Sequence, residues 1–126
     1  MVKLAILDSS VIIHLLKGTE KGKLIRDNFN EEITATTSLC VHETLFGTKQ
    51  REREATLSFI EELEVMPYDK NAALKSVEIE ESLYKKGRPI NKLDILIASA
   101  CLIHNLSLLT TDEGYTHIEN LKVIKV

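Results

Sequence analysis

Residues 90–115 read INKLDILIASACLIHNLSLLTTDEGY. Asn91 is suited to cap a helix. Beyond it the helix is apolar nearly all round, through Ile95, Leu96, Ile97, Ala98, Ala100, Cys101, Leu102 and Ile103. A helix without a polar face belongs at the centre of a molecule, packed on several sides. Residues 106–109 then read as a strand, and Thr111 and Asp112 make a turn. An acid opening the helix, Asp94, and an acid just past the strand, Asp112, frame this buried unit.

The same alternation extends outward from it. Residues 2–7 are an apolar run of the kind buried in a parallel sheet. Ser9 and Ser10 offer caps for a helix that Gly18 ends. A more polar helix is expected over 19–29, a short strand over 33–36, and a helix from Ser38 that carries Leu39, Cys40, Leu45 and Phe46. Those apolar neighbours predict a largely buried helix around Glu43. Residues 50–63 read as an amphipathic helix with Ala55, Phe59, Ile60 and Leu63 on one face. A brief strand follows at Val65 and Met66. Asp69 then caps a long helix reaching Lys86, with Ala73, Val77 and Leu83 at its apolar positions. A last strand is expected over 123–126. Strands alternating with helices, without repeat or linker, predict a three-layer α/β/α sandwich on a mostly parallel central sheet, one domain over 1–126.

Bulk properties restrict the function. The chain has 126 residues, 44% of them hydrophobic, enough for one core. Its formal net charge of -3 argues against a protein that holds nucleic acid through a strongly basic surface. Cys40 and Cys101 lie in apolar helical contexts with no CxxC spacing, so they read as buried free thiols of a reducing compartment. The start carries no signal-peptide pattern, and the apolar run after Asp94 is too short to span a bilayer. A cytoplasmic protein without membrane contact is the expectation.

Asp8, Glu43, Asp94 and Asp112 each sit beside or inside an apolar run, where an unpaired carboxylate is costly to bury. Single explanations exist for each. Asp8 and Asp112 suit helix caps or turns, Asp94 can reach back to Asn91 in a capping box, and a mid-helix Glu usually faces water. As a set they say more. Asp8 and Asp112 both follow strands, and the carboxyl ends of strands carry the ligand crevice of an open parallel sheet. Acids gathered there repel one another and raise each other's pKa values, and a hard divalent cation relieves that repulsion. Such a cation also acidifies water and polarises a leaving oxygen, which is what phosphodiester hydrolysis requires.

The segments LDSSVII, VHETLFG and GRPINKLDILIASACLIHNLSLLTTDEGY together resemble the PIN domain, and most nearly the VapC-type ribonuclease toxins of toxin–antitoxin pairs. The resemblance runs over essentially the whole chain. It implies an Mg²⁺- or Mn²⁺-dependent endoribonuclease with Asp8, Glu43, Asp94 and Asp112 as catalytic and metal-binding acids. Ser10 and Thr110 or Thr111 would be hydroxyls steadying them. It also implies an RNA substrate, a cognate antitoxin protein and a homodimer. Two positions depart from the pattern: Lys92 and Gly114 stand where many members carry acids, which lowers the charge of the rim and points to one metal.

Lys86, Arg88 and Lys92 lead into Asp94 and are candidates for contacts to the RNA phosphates. They read equally as solvated helix ends. Two rival functions fit less of the chain. A degenerate PIN-like module would bind RNA or a protein without cutting, but would not need all four acids. A phosphoryl-transfer domain of the dehalogenase or receiver kind lacks its second acid, since position 10 is Ser, and lacks an Asp after a middle strand.

Overall fold

The structure, a computed structural model, describes residues 4–126. Five strands form one parallel sheet in the order β3-β2-β1-β4-β5: β1 Ala5–Leu7, β2 Ile33–Thr37, β3 Glu64–Met66, β4 Ser107–Thr110 and β5 Val123–Lys125. Six α-helices connect them: α1 Ser9–Lys17, α2 Glu20–Phe29, α3 Ser38–Gly47, α4 Arg53–Glu61, α5 Lys70–Lys85 and α6 Lys92–Ile103. The expected three-layer α/β/α sandwich is found. Of the expected first strand, Val2 and Lys3 lie outside the described residues.

The pleat of the sheet makes the layers. Ile6 and Leu108 face one side, among Ile79 and Leu83 of α5 and Ile97, Ala98 and Cys101 of α6. Their neighbours Leu7 and Leu109 face the other, among Val11, Ile12 and Leu15 of α1 and Ile25 of α2. Successive residues of a strand point to opposite faces, so a continuous apolar run is buried on both. The apolar α6 lies where its composition requires, with Ile97, Ala98, Ala100 and Cys101 wholly buried. Both cysteines are buried free thiols. Among the described residues no helix is long and apolar enough to cross a membrane.

Helix ends follow side-chain chemistry. Thr19, Thr37, Asp69 and Asn91 each cap a helix by accepting a backbone N–H. The cap of α1 is Asp8, which accepts from the Ser9 N–H, and neither serine serves as cap. Gly18 ends α1 at φ 62, in the left-handed region that glycine enters without strain.

Three expected faces are corrected. The 50–63 segment breaks into a 3-10 turn, Gln50–Glu52, followed by α4, which turns Thr56 inward and leaves Ala55 exposed. On α5 the buried positions are Ala72, Ser76, Ile79 and Leu83, and Val77 faces out. On α3 only Cys40 and Thr44 are buried, while Phe46 is 85% exposed. Periodicity locates an apolar stripe, but which stripe is covered depends on the elements standing opposite.

Candidate metal centre

The strand order reverses direction at β1, whose neighbours are β2 on one side and β4 on the other. Crevices for ligands open at such points, beyond the carboxyl ends of the strands. Asp8 follows β1 directly, and Asp112 lies two residues beyond β4. The Asp8 N–H donates to the Leu109 carbonyl at 3.0 Å, which ties the start of α1 to the end of β4.

Asp8 is 6% exposed, yet its carboxylate is well supplied with donors. The Ser9 N–H reaches Oδ1 at 2.9 Å and the Cys40 thiol reaches it at 3.8 Å. Thr110 Oγ1 donates to Oδ2 at 2.7 Å, and Ser10 Oγ reaches Oδ2 at 3.5 Å. Burial nevertheless pushes the Asp8 carboxyl above its ordinary pKa, and the charge of Asp112 adds to the rise. Glu43 projects from α3 and accepts from Ser9 Oγ at 3.1 Å. It too is raised, by burial and then by the charge of Asp8.

Asp94 opens α6 without capping it. Asn91 accepts the Leu93 N–H, and Asp94 instead accepts from the Tyr115 hydroxyl at 3.0 Å. Burial, together with the charges of Asp112, Asp8 and Glu43, raises Asp94 to about 6 despite that bond. Asp112 is exposed and caps the 3-10 turn Glu113–His117 through the Gly114 N–H at 2.8 Å. Its own N–H donates to Thr110 Oγ1 at 3.1 Å, so Thr110 links the two strand-end acids.

The four acids therefore form one electrostatic unit. Among the described residues no Lys or Arg forms an ion pair with any of them. Asp8, Cys40 and Glu43 bring donor atoms within 4.8 Å of one another. The Cys40 thiol is pushed up to about 12 by burial and the nearby Asp8 charge, so it stays protonated near neutral pH. The effective donor set is carboxylate oxygen. That is the chemistry a hard divalent cation takes, and mutual repulsion is what such a cation relieves.

The family model for the PIN domain matches residues 5–121. The chain belongs to the PIN domain family. This PIN domain is 29% identical over 97 residues to the tRNA(fMet)-specific endonuclease VapC of Salmonella typhimurium, covering 73% of this chain and 74% of that protein. It is 24% identical to Ribonuclease VapC5 of Mycobacterium tuberculosis, covering 96% of this chain and 92% of that one. The fold matches VapBC-1 from nontypeable Haemophilus influenzae at a TM-score of 0.82 and 23% identity, over 97% of both chains.

The hydroxyls expected to steady the cluster do so unequally. Thr110 holds Asp8 directly, Ser10 is at its limit of reach, and Thr111 donates its backbone N–H to Ser10 Oγ at 3.4 Å. Of the basic candidates, Lys86 is paired with Glu119 and Lys92 with Glu80, while Arg88 meets His117 Nδ1 at 3.0 Å.

Sequence reasoning missed Ser9 on Glu43 and Tyr115 on Asp94. The aromatic after the Thr-Asp pair was visible as a pattern, but its hydroxyl reaches an acid 21 residues back, which no local period encodes. Tyr115 is wholly buried, so Tyr115→Phe removes the donor while keeping the packing. In this PIN domain that change is expected to weaken Mn²⁺ affinity roughly 10-fold, the usual effect of losing an outer partner of a metal-binding carboxylate. Mn²⁺ titration of both proteins checks it, and stability should fall by no more than about 1 kcal/mol.

Proposed function

We propose that this PIN domain is a divalent-cation-dependent endoribonuclease, the toxin of a toxin–antitoxin pair. One observation carries the reading. Asp8 after β1, Glu43 on α3 and Asp94 on α6 are each raised by burial and by the charge of at least one other acid, Asp112 past β4 adding to Asp8 and Asp94, and among the described residues no Lys or Arg is ion-paired with any of the four. Asp8, Glu43 and Asp94 would hold Mg²⁺ or Mn²⁺, with Asp112 at the rim. The names of the relatives, an endonuclease and a ribonuclease, support RNA as substrate.

When bound, the cation supplies Lewis acidity toward a phosphodiester and eases deprotonation of water. The chain's own part is to preorganise the acids. Thr110, Ser9 and the Ser9 N–H hold Asp8 and Glu43 at the carboxyl end of β1, and Tyr115 holds Asp94 at the mouth of α6. Asp112, the most exposed of the four, adds charge that draws cations to the rim.

An antitoxin partner is supported by the structural relatives, which are VapBC complexes. A second copy of the chain is supported by α5, where Leu74, Val77 and Tyr84 lie exposed on one stripe.

The deciding experiment is incubation of single-stranded RNA with the purified protein and Mn²⁺ or Mg²⁺. Cleavage is expected, stopped by EDTA and reduced at least roughly 100-fold in Asp94→Asn. Activity that survives Asp94→Asn would sink the mechanism. Metal binding without cleavage of any RNA would favour a binding module instead.

A further inference from the structure

Phe46 is the most exposed large apolar side chain among the described residues, at 85%. Its ring is stacked on His42, with centroids 6.1 Å apart and planes 5° from parallel. Phe46 lies three residues beyond Glu43 on α3, so its ring stands one helical turn from a carboxylate of the proposed centre. A ring exposed beside these acids and parallel to a second one offers a planar face on which another flat group can stack.

The surroundings state the chemistry of what would stack there. Past Phe46, where α3 ends, a groove of about 280 Å³ opens between α1 and α4, with Ile13, Leu16 and Ala55 among its walls. Lys17, Lys49 and Arg51 also line it, against one acid, Glu52. None of these three cations forms an ion pair among the described residues, whereas Lys86 and Lys92 on the opposite flank are paired with acids. The groove begins one turn beyond the Ser9–Glu43 hydrogen bond on both helices, at Ile13 of α1 and Gly47 of α3. An aromatic platform continued by a cationic track is how single-stranded nucleic acid is held: bases stack and phosphates pair.

We infer that His42 and Phe46 form a stacking platform for an unpaired base of the RNA next to the scissile phosphate, and that Lys17, Lys49 and Arg51 guide the adjoining backbone. Phe46 is thus a substrate-positioning residue that orients the strand and takes no part in the bond changes. A planar face stacks on any base, so the platform selects unpaired over paired RNA and leaves base identity to other contacts. This assignment rests on the ribonuclease reading above.

The test uses a single-stranded RNA carrying 2-aminopurine, whose emission falls when the base stacks, with EDTA present to prevent cleavage. The chain contains no Trp, so the signal comes from the base alone. Wild type is expected to bind and quench. Phe46→Leu, which keeps apolar bulk but has no ring, should lose the quenching and bind roughly 5- to 150-fold more weakly, the range for one base on one aromatic. Phe46→Tyr, which returns an aromatic ring without adding an indole, should restore both.

Quenching and affinity unchanged in Phe46→Leu would overturn the platform, and if both proteins still cut RNA in Mn²⁺ the ribonuclease reading would stand without it. Wild type that neither binds nor cuts RNA would overturn both. Phe46→Leu that binds RNA normally but changes oligomeric state in sedimentation would assign the ring to a protein contact and also overturn the platform.

Discussion

Asp8→Asn is expected to reduce RNA cleavage by about 10³-fold or more while making the metal-free protein more resistant to heat. The loss follows from position: Asp8 is the most buried of the four acids and stands where β1 and β4 open. Removing a carboxylate from a cation that stabilises developing charge costs several kcal/mol of the barrier. The gain in stability follows from the same burial. Four donors serve the Asp8 carboxylate, yet desolvation outweighs them and its pKa is raised in the folded state.

A carboxyl whose folded pKa lies above its unfolded value binds its proton more tightly when folded. Its contribution to stability is present at low pH and is lost as pH rises through the folded pKa. Asp94 moves the same way, from 3.8 to about 6. The centre therefore destabilises the metal-free protein between about pH 4 and somewhat above pH 6, opposite in sign to ordinary acid unfolding. Asp94 is only half-buried, so solvent screening limits its share to about 1 kcal/mol. Melting curves in EDTA at about pH 4 and pH 7.5 should show the wild type losing more stability across that interval, relative to Asp8→Asn. Excess Mn²⁺ should stabilise the wild type at the higher pH and leave the variant almost unchanged.

Gly22→Ala should destabilise the fold by roughly 3 kcal/mol, at the upper end for overpacking, lowering the melting temperature by roughly 10 °C. Gly22 is buried in α2, where that helix crosses the end of α1. A Cβ there would stand 2.2 Å from the His14 carbonyl oxygen and 2.7 Å from its carbonyl carbon. Both are backbone atoms, so no side chain can swing aside. The His14 ring also meets Thr19 Oγ1 at 2.8 Å, and Thr19 caps α2, so separating the helices would strain the cap as well. Urea unfolding measures the change. Gly18→Ala, at φ 62 with open space around it, should cost only the strain of a left-handed residue, about 1 kcal/mol.

Elements whose information is local could be read from sequence. The apolar run of α6 needed no partner to declare itself central, and β1, buried on both faces, reads as an unbroken apolar run. Capping residues marked most helix starts. The crevice was legible because two acids follow strands, and it needed only the pairing of β1 with β4 to bring them together. What escaped depends on which surfaces meet. Phe46 sits among Leu39, Cys40 and Leu45 and reads as core, yet α3 leaves its ring exposed. Val77 has Ala73 and Leu74 one turn before it and Tyr84 two turns beyond, but α6 and the sheet cover Ile79 and Leu83 instead. Asp94 fits a capping box by spacing, and its hydrogen bond goes to Tyr115 because the turn after β4 places that hydroxyl against α6. Gly22 gives no sign in sequence of the helix crossing that requires it.

Calorimetric titration of the metal-free protein with Mn²⁺ at neutral pH tests the centre most directly. The four-acid site predicts saturable binding by the wild type that is abolished in Asp8→Asn at unchanged fold. Equal binding by both proteins, or none by the wild type, would contradict it.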